Sequence, residues 1–320
     1  MPDLTYLDHA ATTPMHAAAI AAMMPYLSER FANPSGSHRF AREARKAIDD
    51  AREVVAGALG CAPGEVVFTG GGTEADNTAI LGTIARRGGT AVCPAAEHHA
   101  VLECVHRVGG EVVPTTATGA VDLAALTGTL DRLSAAGVAA TVVSVMAVNN
   151  EVGTVNDIAE VAHAVRRHAP GALVHTDAVQ AACWLDLREL TPHVDLLSLS
   201  AHKFGGPKGV GVLVARDGAA FQPLLIGGGQ ERERRSGTHN VAGIVAMAEA
   251  LRLTDAHRAA EVARLAALRD RLLDRLLAEL PGVHETVPRR AKVAGSAHVC
   301  IEGIENEALL FLLDEAGVCA

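Results

Sequence analysis

The chain has 320 residues, 49% of them hydrophobic and 20% charged, which is typical of a globular protein with room for one large domain and a smaller one. Its net charge of −9 argues against a nucleic-acid or anionic-membrane surface as the main partner, and the sequence predicts neither a leader segment nor a membrane span. The six cysteines form no C-x-x-C pair, so the sequence supports neither a disulfide framework nor a metal site and indicates a cytoplasmic protein.

Short apolar runs rich in β-branched residues alternate with longer helical patterns up to about residue 240. The predicted strands are residues 66–69, 90–93, 111–114, 141–146, 173–176, 195–199 and 210–214. The predicted helices are residues 38–59, 74–87, 99–107, 122–134 and 157–168. The strand runs are continuously apolar, as expected of strands that are buried on both faces. This alternation predicts an α/β fold with a mostly parallel, seven-stranded sheet flanked by helices.

The pattern changes after residue 240. Residues 241–280 predict a long helix that ends at Pro281 and Gly282. A strand at residues 297–301 and a helix at residues 306–316 are predicted to follow. We therefore expect a second, smaller α+β domain that begins near residue 245.

Four of the loops that follow predicted strands hold unusual residues, and ligands of open α/β sheets bind at these carboxyl ends. The loop 69–77 (TGGGTEADN) has glycines that let the backbone approach an anion, and Thr73 is placed to cap the following helix. An ordinary tight turn is the alternative for this loop. In the loop with Glu97 and His99, His98 can either cap a helix or stack on a flat cofactor as an acid–base group.

The other two loops hold an acid and a lysine. Asp177 ends a buried strand, where its carboxylate needs a partner such as a protonated ring nitrogen, an arginine or a helix N-terminus. Lys203 directly follows a buried strand and has Ser200 and His202 beside it, so a lowered pKa and a Schiff base with an aldehyde are expected. Lys208 is the competing lysine, although the Gly-Pro before it predicts a turn. Together the four loops supply the parts of a pyridoxal-phosphate (PLP) site.

Eight segments of the chain carry the motifs of a known family. They are residues 6–14 (YLDHAATTP), 33–38 (NPSGSH), 68–77 (FTGGGTEADN), 97–98 (EH), 148–153 (VNNEVG), 176–180 (TDAVQ), 200–209 (SAHKFGGPKG) and 227–238 (GGGQER through RSGT). In this order, and over essentially the whole chain, they resemble the class V aminotransferase group of PLP enzymes, specifically the NifS/IscS-type cysteine desulfurases. The resemblance implies the PLP-dependent transferase fold of type I, with a large PLP-binding domain at residues 15–245 and a small domain made of residues 1–14 plus 246–320.

The resemblance also implies a role for each matched site residue. Lys203 would hold PLP as a Schiff base and move protons, Asp177 would pair with the ring nitrogen, and His98 would stack on the ring and assist proton transfer. The implied cofactor-binding residues are Asn150 and Gln180 near the phenolic oxygen, Thr73, Ser200 and His202 at the phosphate, and Thr238 at the phosphate of the neighbouring subunit in a homodimer with shared sites.

The implied reaction converts L-cysteine to L-alanine and passes the sulfur, through an enzyme persulfide, to an acceptor protein for Fe–S clusters or tRNA thiolation. In the desulfurases the nucleophilic cysteine lies in a Ser-Gly-Ser-Ala-Cys-like motif that follows a segment resembling residues 315–320. On that register the small domain is expected to be incomplete at its C-terminus, and none of the six cysteines is assigned as the nucleophile. A selenocysteine lyase, an aminotransferase-like enzyme and a non-catalytic PLP-binding relative remain alternatives.

Overall fold

The computed structural model describes residues 4–320, so the first three residues of the predicted small domain lie outside the described residues. The strands are β1 Thr5–Tyr6, β2 Val66–Thr69, β3 Thr90–Pro94, β4 Glu111–Val113, β5 Ala140–Ser144, β6 Leu173–Asp177, β7 Leu196–Ser200, β8 Gly211–Ala215, β9 Val283–Glu285, β10 Val299–Ile301 and β11 Val318–Cys319. The α-helices are α1 Ala17–Met23, α2 Pro25–Ser28, α3 Arg39–Leu59, α4 Gly72–Asn77, α5 Thr83–Arg87, α6 His99–Arg107, α7 Leu123–Ala135, α8 Ile158–His168, α9 Leu187–Leu190, α10 Val241–Glu279 and α11 Asn306–Glu315.

One seven-stranded sheet has the strand order β2-β8-β7-β6-β5-β3-β4. The pairs β3–β4, β3–β5, β5–β6 and β6–β7 are parallel, and β8 is antiparallel to both of its neighbours. Alternate residues of β2 pack on opposite faces: Val66 and Phe68 lie in the cluster with α3 and α10, whereas Val67 lies in the cluster with α4. The mostly parallel sheet with helices on both faces is confirmed.

The carboxyl ends of the central strands meet at one edge of this sheet. Ser144, Asp177 and Ser200 are the last residues of β5, β6 and β7. Ser200 pairs with Gly211, and Gly211 pairs with Thr69 at the end of β2. The loops that the sequence singled out therefore leave the sheet on the same side.

The helix predicted at residues 74–87 begins two residues earlier than expected. Gly71 precedes the helix with a φ of +145°, a conformation that glycine adopts readily. Thr73 thus lies inside the first turn of α4, and the prediction that it caps the helix is wrong. A π-helical turn, Thr78–Gly82, joins α4 to α5 and keeps the helical segment continuous.

Two small sheets lie outside the central one. In the first, β1 pairs parallel with β11, which brings Thr5 beside Val318; in the second, β9 pairs antiparallel with β10. Helix α10 has 39 residues and packs on α1 and α3. Neither α10 nor any other helix between residues 4 and 320 combines the length and apolar character needed to cross a membrane.

Candidate active site

An open cavity of about 560 Å³ lies at the carboxyl edge of the central sheet. A small cofactor and its substrate fit a volume of this size. The cavity brings together eight of the nine sequence-predicted site residues: Thr73, His98, Asn150, Asp177, Gln180, Ser200, His202 and Lys203. The N-terminal segment adds Asp8, Ala10 and Ala11 to the lining.

Lys203 ends a short 3₁₀ turn that directly follows β7. Its Nζ donates hydrogen bonds to the carbonyl oxygens of Ala10 and Ala11, the latter at 2.9 Å. Burial lowers the pKa of Lys203, while the charges of Asp177 and Asp8 oppose that shift. The lowered pKa increases the share of the neutral amine, which is the form that attacks an aldehyde.

The competing lysine occupies a different environment. Lys208 is exposed and is not among the residues that line the cavity. The structure therefore places Lys203 at the site and Lys208 on the surface.

Asp177 is buried at the end of β6, and its Oδ1 accepts a hydrogen bond of 2.8 Å from the backbone N–H of Val179. Burial raises the pKa of Asp177, whereas this hydrogen bond and the charges of His98 and Lys203 act to lower it. No arginine belongs to the cavity lining within residues 4–320. Asp177 lines the cavity, so a protonated ring nitrogen that binds there can serve as its partner.

His98 has the first of the two roles that the sequence left open, and its position is compatible with the second. It is the N-cap of α6, where its Nδ1 accepts a hydrogen bond of 3.1 Å from the N–H of Ala100. It also lines the cavity. Because Nδ1 is an acceptor, the neutral ring carries its proton on Nε2, and Nε2 is the atom free to exchange a proton. Stacking of His98 on a cofactor ring stays a prediction.

The glycine-rich turn lies close to Ser200, and Gly72, Ser200 and His202 all line the cavity. A Cβ atom on Gly72 would stand 2.8 Å from Cγ2 of Val179, so only glycine fits this close approach. The Nδ1 of His202 lies 3.1 Å from the hydroxyl of Thr12, and burial lowers the pKa of the His202 ring. Backbone amides, hydroxyls and a ring N–H are the donors that a phosphate group needs.

Asn150 and Gln180 also line the cavity. Both side chains are half-buried, and Nε2 of Gln180 donates a hydrogen bond of 2.8 Å to the carbonyl of Ala10. Their predicted place beside a phenolic oxygen stays a prediction.

Thr238 is the predicted site residue that lies outside the cavity, and it is exposed. The loop before it contains three left-handed residues, Glu231, Arg232 and Glu233, with φ values of 48°, 58° and 65°. Glu231 holds this loop against β2 and α3, since its carboxylate accepts hydrogen bonds from the N–H of Phe68 in β2 at 2.9 Å and from Arg52 in α3 at 2.6 and 2.8 Å. Its pKa falls to about 2: burial acts to raise the pKa, but hydrogen bonds from His239 and Arg52 outweigh it. The predicted role of Thr238 concerns a neighbouring subunit and stays a prediction.

Several buried groups at or near the cavity have no role predicted from the sequence. Asp76 lines the cavity at 1% exposure, and His175 and Glu97 are also buried. His175 could have been predicted from the sequence, because it lies two positions before Asp177 in the same strand and its side chain therefore points to the same face of the sheet. Asp76 was harder to predict, since its contact with His175 joins residues about a hundred positions apart along the chain.

Comparison with known proteins identifies the family. The sequence matches the Aminotransferase class-V family over residues 5–320. The chain belongs to this family. It is 43% identical, over 98% of its length, to an IscS-like cysteine desulfurase of Mycobacterium tuberculosis, 82% of which it covers. It is 39% identical, again over 98% of its length, to a cysteine desulfurase IscS of Dictyoglomus turgidum, 79% of which it covers.

A solved structure described as a NifS-like protein has the same fold. It superposes with a TM-score of 0.91 and 33% identity, covering 99% of this chain and 87% of its own. Together these matches confirm the predicted family, the type I fold and PLP as the cofactor.

The residues of the cavity fit this cofactor. The close approach at Gly72, with Thr73, Ser200 and His202 beside it, suits the phosphate. At the centre, the buried carboxyl of Asp177 suits a protonated pyridine nitrogen, and the amine of Lys203 suits the aldehyde.

Proposed function

We propose that the protein is a PLP-dependent cysteine desulfurase, which converts L-cysteine to L-alanine. The sulfur atom leaves the substrate and joins an enzyme thiol, so that one thiol becomes one persulfide and no external oxidant or reductant is consumed. The observation behind this proposal is that Lys203, Asp177 and His98 share one cavity in a chain whose relatives are named cysteine desulfurases.

When bound, PLP supplies an electron sink for the carbon next to the substrate's amino group. Lys203 is the proton carrier at this carbon: its amine has a lowered pKa and is held by the carbonyl groups of Ala10 and Ala11. The carboxylate of Asp177, fixed by the N–H of Val179, keeps a positive ring nitrogen in place. His98 exchanges a proton through Nε2, because its Nδ1 already accepts a hydrogen bond from the N–H of Ala100 in α6.

The proposal extends to the partners of the protein. We infer a homodimer in which Thr238 reaches the phosphate bound by the neighbouring subunit. Two observations support it: Thr238 is exposed, and the hydrogen bonds between Glu231 and Arg52 fix the loop before it. A sulfur-acceptor protein receives the persulfide sulfur for Fe–S clusters or tRNA thiolation. The cytoplasm is the proposed compartment, in keeping with six free thiols.

The division into a large domain, 15–245, and a small domain, 1–14 plus 246–320, also belongs to this proposal. The pairing of β1 with β11 supports it, because that pairing joins the start of the described chain to its end.

The products of L-cysteine test the proposed reaction. The PLP-loaded protein is incubated with L-cysteine and a thiol reductant, and alanine, sulfide, pyruvate and ammonia are quantified. We expect alanine and sulfide in equal amounts, without pyruvate. Pyruvate and ammonia in place of alanine would instead identify a β-elimination enzyme, and cofactor binding with no product would identify a non-catalytic relative. L-selenocysteine assayed in parallel distinguishes a lyase that prefers selenium.

A further inference from the structure

Two segments near the cavity are joined by an ion pair that the proposed reaction does not use. The first is the glycine-rich turn at residues 70–72, which leads into Thr73 and Glu74 of α4. The second is the loop at residues 227–238, which ends at Thr238. Each segment holds a residue with a proposed phosphate contact: Thr73 lines the cavity, and Thr238 is proposed to reach the phosphate of the neighbouring subunit. The relative position of the two segments therefore bears on PLP binding.

The ion pair joins Arg235 of the loop to Glu74 of α4 through two hydrogen bonds. Nε of Arg235 donates to Oε1 of Glu74 at 2.8 Å, and Nη2 donates to Oε2 at 3.2 Å. The two side chains are 24% and 21% exposed, so the pair is partly shielded from solvent. Two parallel bonds between charged groups fix the orientation of the partners as well as their distance. The pair is therefore expected to contribute more than an ion pair on the open surface.

Glu74 also closes the glycine-rich turn. Its Oε2 accepts a hydrogen bond of 2.7 Å from the N–H of Gly70, four residues earlier. A Cβ atom on Gly70 would stand 2.6 Å from this oxygen, so a side chain there would displace the carboxylate. The carboxylate thus binds both the turn and Arg235. The guanidinium neutralises a negative charge that would otherwise stand unpaired one residue after Thr73, where a phosphate dianion is expected nearby.

Two other anchors of the loop attach to an earlier part of the chain. Glu231 accepts a hydrogen bond of 2.9 Å from the N–H of Phe68 in β2, and Arg234 donates one of 2.8 Å to the carbonyl of Gly64. Both contacts hold the loop on residues that precede the glycine-rich turn. The bonds of Arg235 extend this attachment to the turn itself.

We propose that Arg235 and Glu74 are positioning residues for PLP binding, which hold the glycine-rich turn and the loop 227–238 together through their ion pair. The inference rests on the phosphate contacts of Thr73 and Thr238 in the proposed function and deepens it. In the cofactor-free protein the pair keeps the turn in place, so that PLP binding does not have to order it. Loss of either partner removes the same two bonds.

A double-mutant cycle on PLP affinity tests this role. The dissociation constant is measured by absorbance titration of the cofactor-free wild type, Glu74→Gln, Arg235→Gln and the double variant, and thermal unfolding of each is recorded alongside. We expect all three variants to bind PLP about five- to tenfold more weakly than the wild type, with the double variant no weaker than the weaker single one. The matched control is Arg132→Gln, which breaks an ion pair of 3.0 Å with Glu111 between α7 and β4 and should leave the affinity unchanged.

Three results would overturn the proposal. The first is wild-type or tighter PLP binding by either single variant. The second is a double variant whose loss equals the product of the two single losses, since the residues would then act independently. The third is coupling that appears in the unfolding temperature but not in PLP affinity, since the pair would then stabilise the fold alone.

If Arg235→Gln does not fold, Arg235→Lys takes its place in the cycle, because lysine keeps the charge but not the paired geometry. The same three results are then decisive. The titrations measure binding alone, so a wild type that binds PLP but releases no sulfide would contradict the proposed reaction and leave this inference standing.

Discussion

Replacing Lys203 by Ala is expected to lower the turnover of L-cysteine by about 1000-fold and to abolish covalent attachment of PLP. Lys203 is the one amine in the cavity lining of residues 4–320. Loss of its Nζ removes both the attachment point and the proton carrier. Asp177 and the residues that suit the phosphate, Thr73, Ser200 and His202, remain, so the variant should still bind PLP noncovalently. The visible absorbance band of the attached cofactor, compared with turnover, measures both effects.

Lys208→Ala is the matched control for this variant. Lys208 is only five positions further along the chain but is exposed outside the cavity. Its replacement should leave the absorbance band and the turnover at wild-type levels. A Lys203→Ala protein with an unchanged spectrum, or a Lys208→Ala protein that loses its band, would contradict the assignment of Lys203.

Replacing Asp177 by Asn is expected to lower turnover by about 100-fold and to weaken PLP binding. The amide fills the same space, and its oxygen can still accept the hydrogen bond from Val179. It carries no negative charge, however, and cannot keep a proton on the ring nitrogen. The electron sink is then weaker although the fold is retained. Turnover and the PLP dissociation constant are to be measured on the same preparation.

Asp195→Asn provides the same substitution at the opposite edge of the sheet. Asp195 precedes β7, and its Oδ2 accepts a hydrogen bond of 2.8 Å from the N–H of Val174. An amide oxygen keeps that bond, so turnover should not change. Comparable losses in the two variants would mean that the effect of Asp177→Asn comes from general loss of stability and not from a missing charge at the ring.

The sheet could be predicted from the sequence because its strands are buried on both faces. A continuous apolar run such as Val66–Thr69 is visible without knowledge of its neighbours, and the structure has this strand at the predicted residues. Strand ends shift by one or two residues from the predicted ones, as at Asp177, which belongs to β6. Lys203 and Asp177 could be found because a charged residue at the end of a buried strand, or within a few residues of that end, is unusual.

Other parts of the site depend on contacts that are distant along the chain. The carbonyl of Ala10 meets the side chains of Gln180 and Lys203, and no local pattern indicates this. The same holds for the contact of Asp76 with His175, in which two residues of ordinary motifs become a buried pair. The left-handed backbone at Glu231 also has no local signal, because glycine would be the expected residue there. Burial and long-range hydrogen bonds hold these groups, and a single sequence does not contain that information.

The site of covalent attachment tests the central claim most directly. The PLP-loaded protein is treated with borohydride, which fixes the cofactor to its lysine, and is then digested and mapped by mass spectrometry. We expect one modified peptide, with the pyridoxyl group on Lys203. Modification of Lys208 or of another lysine, or no modification in a protein that has bound PLP, would contradict it.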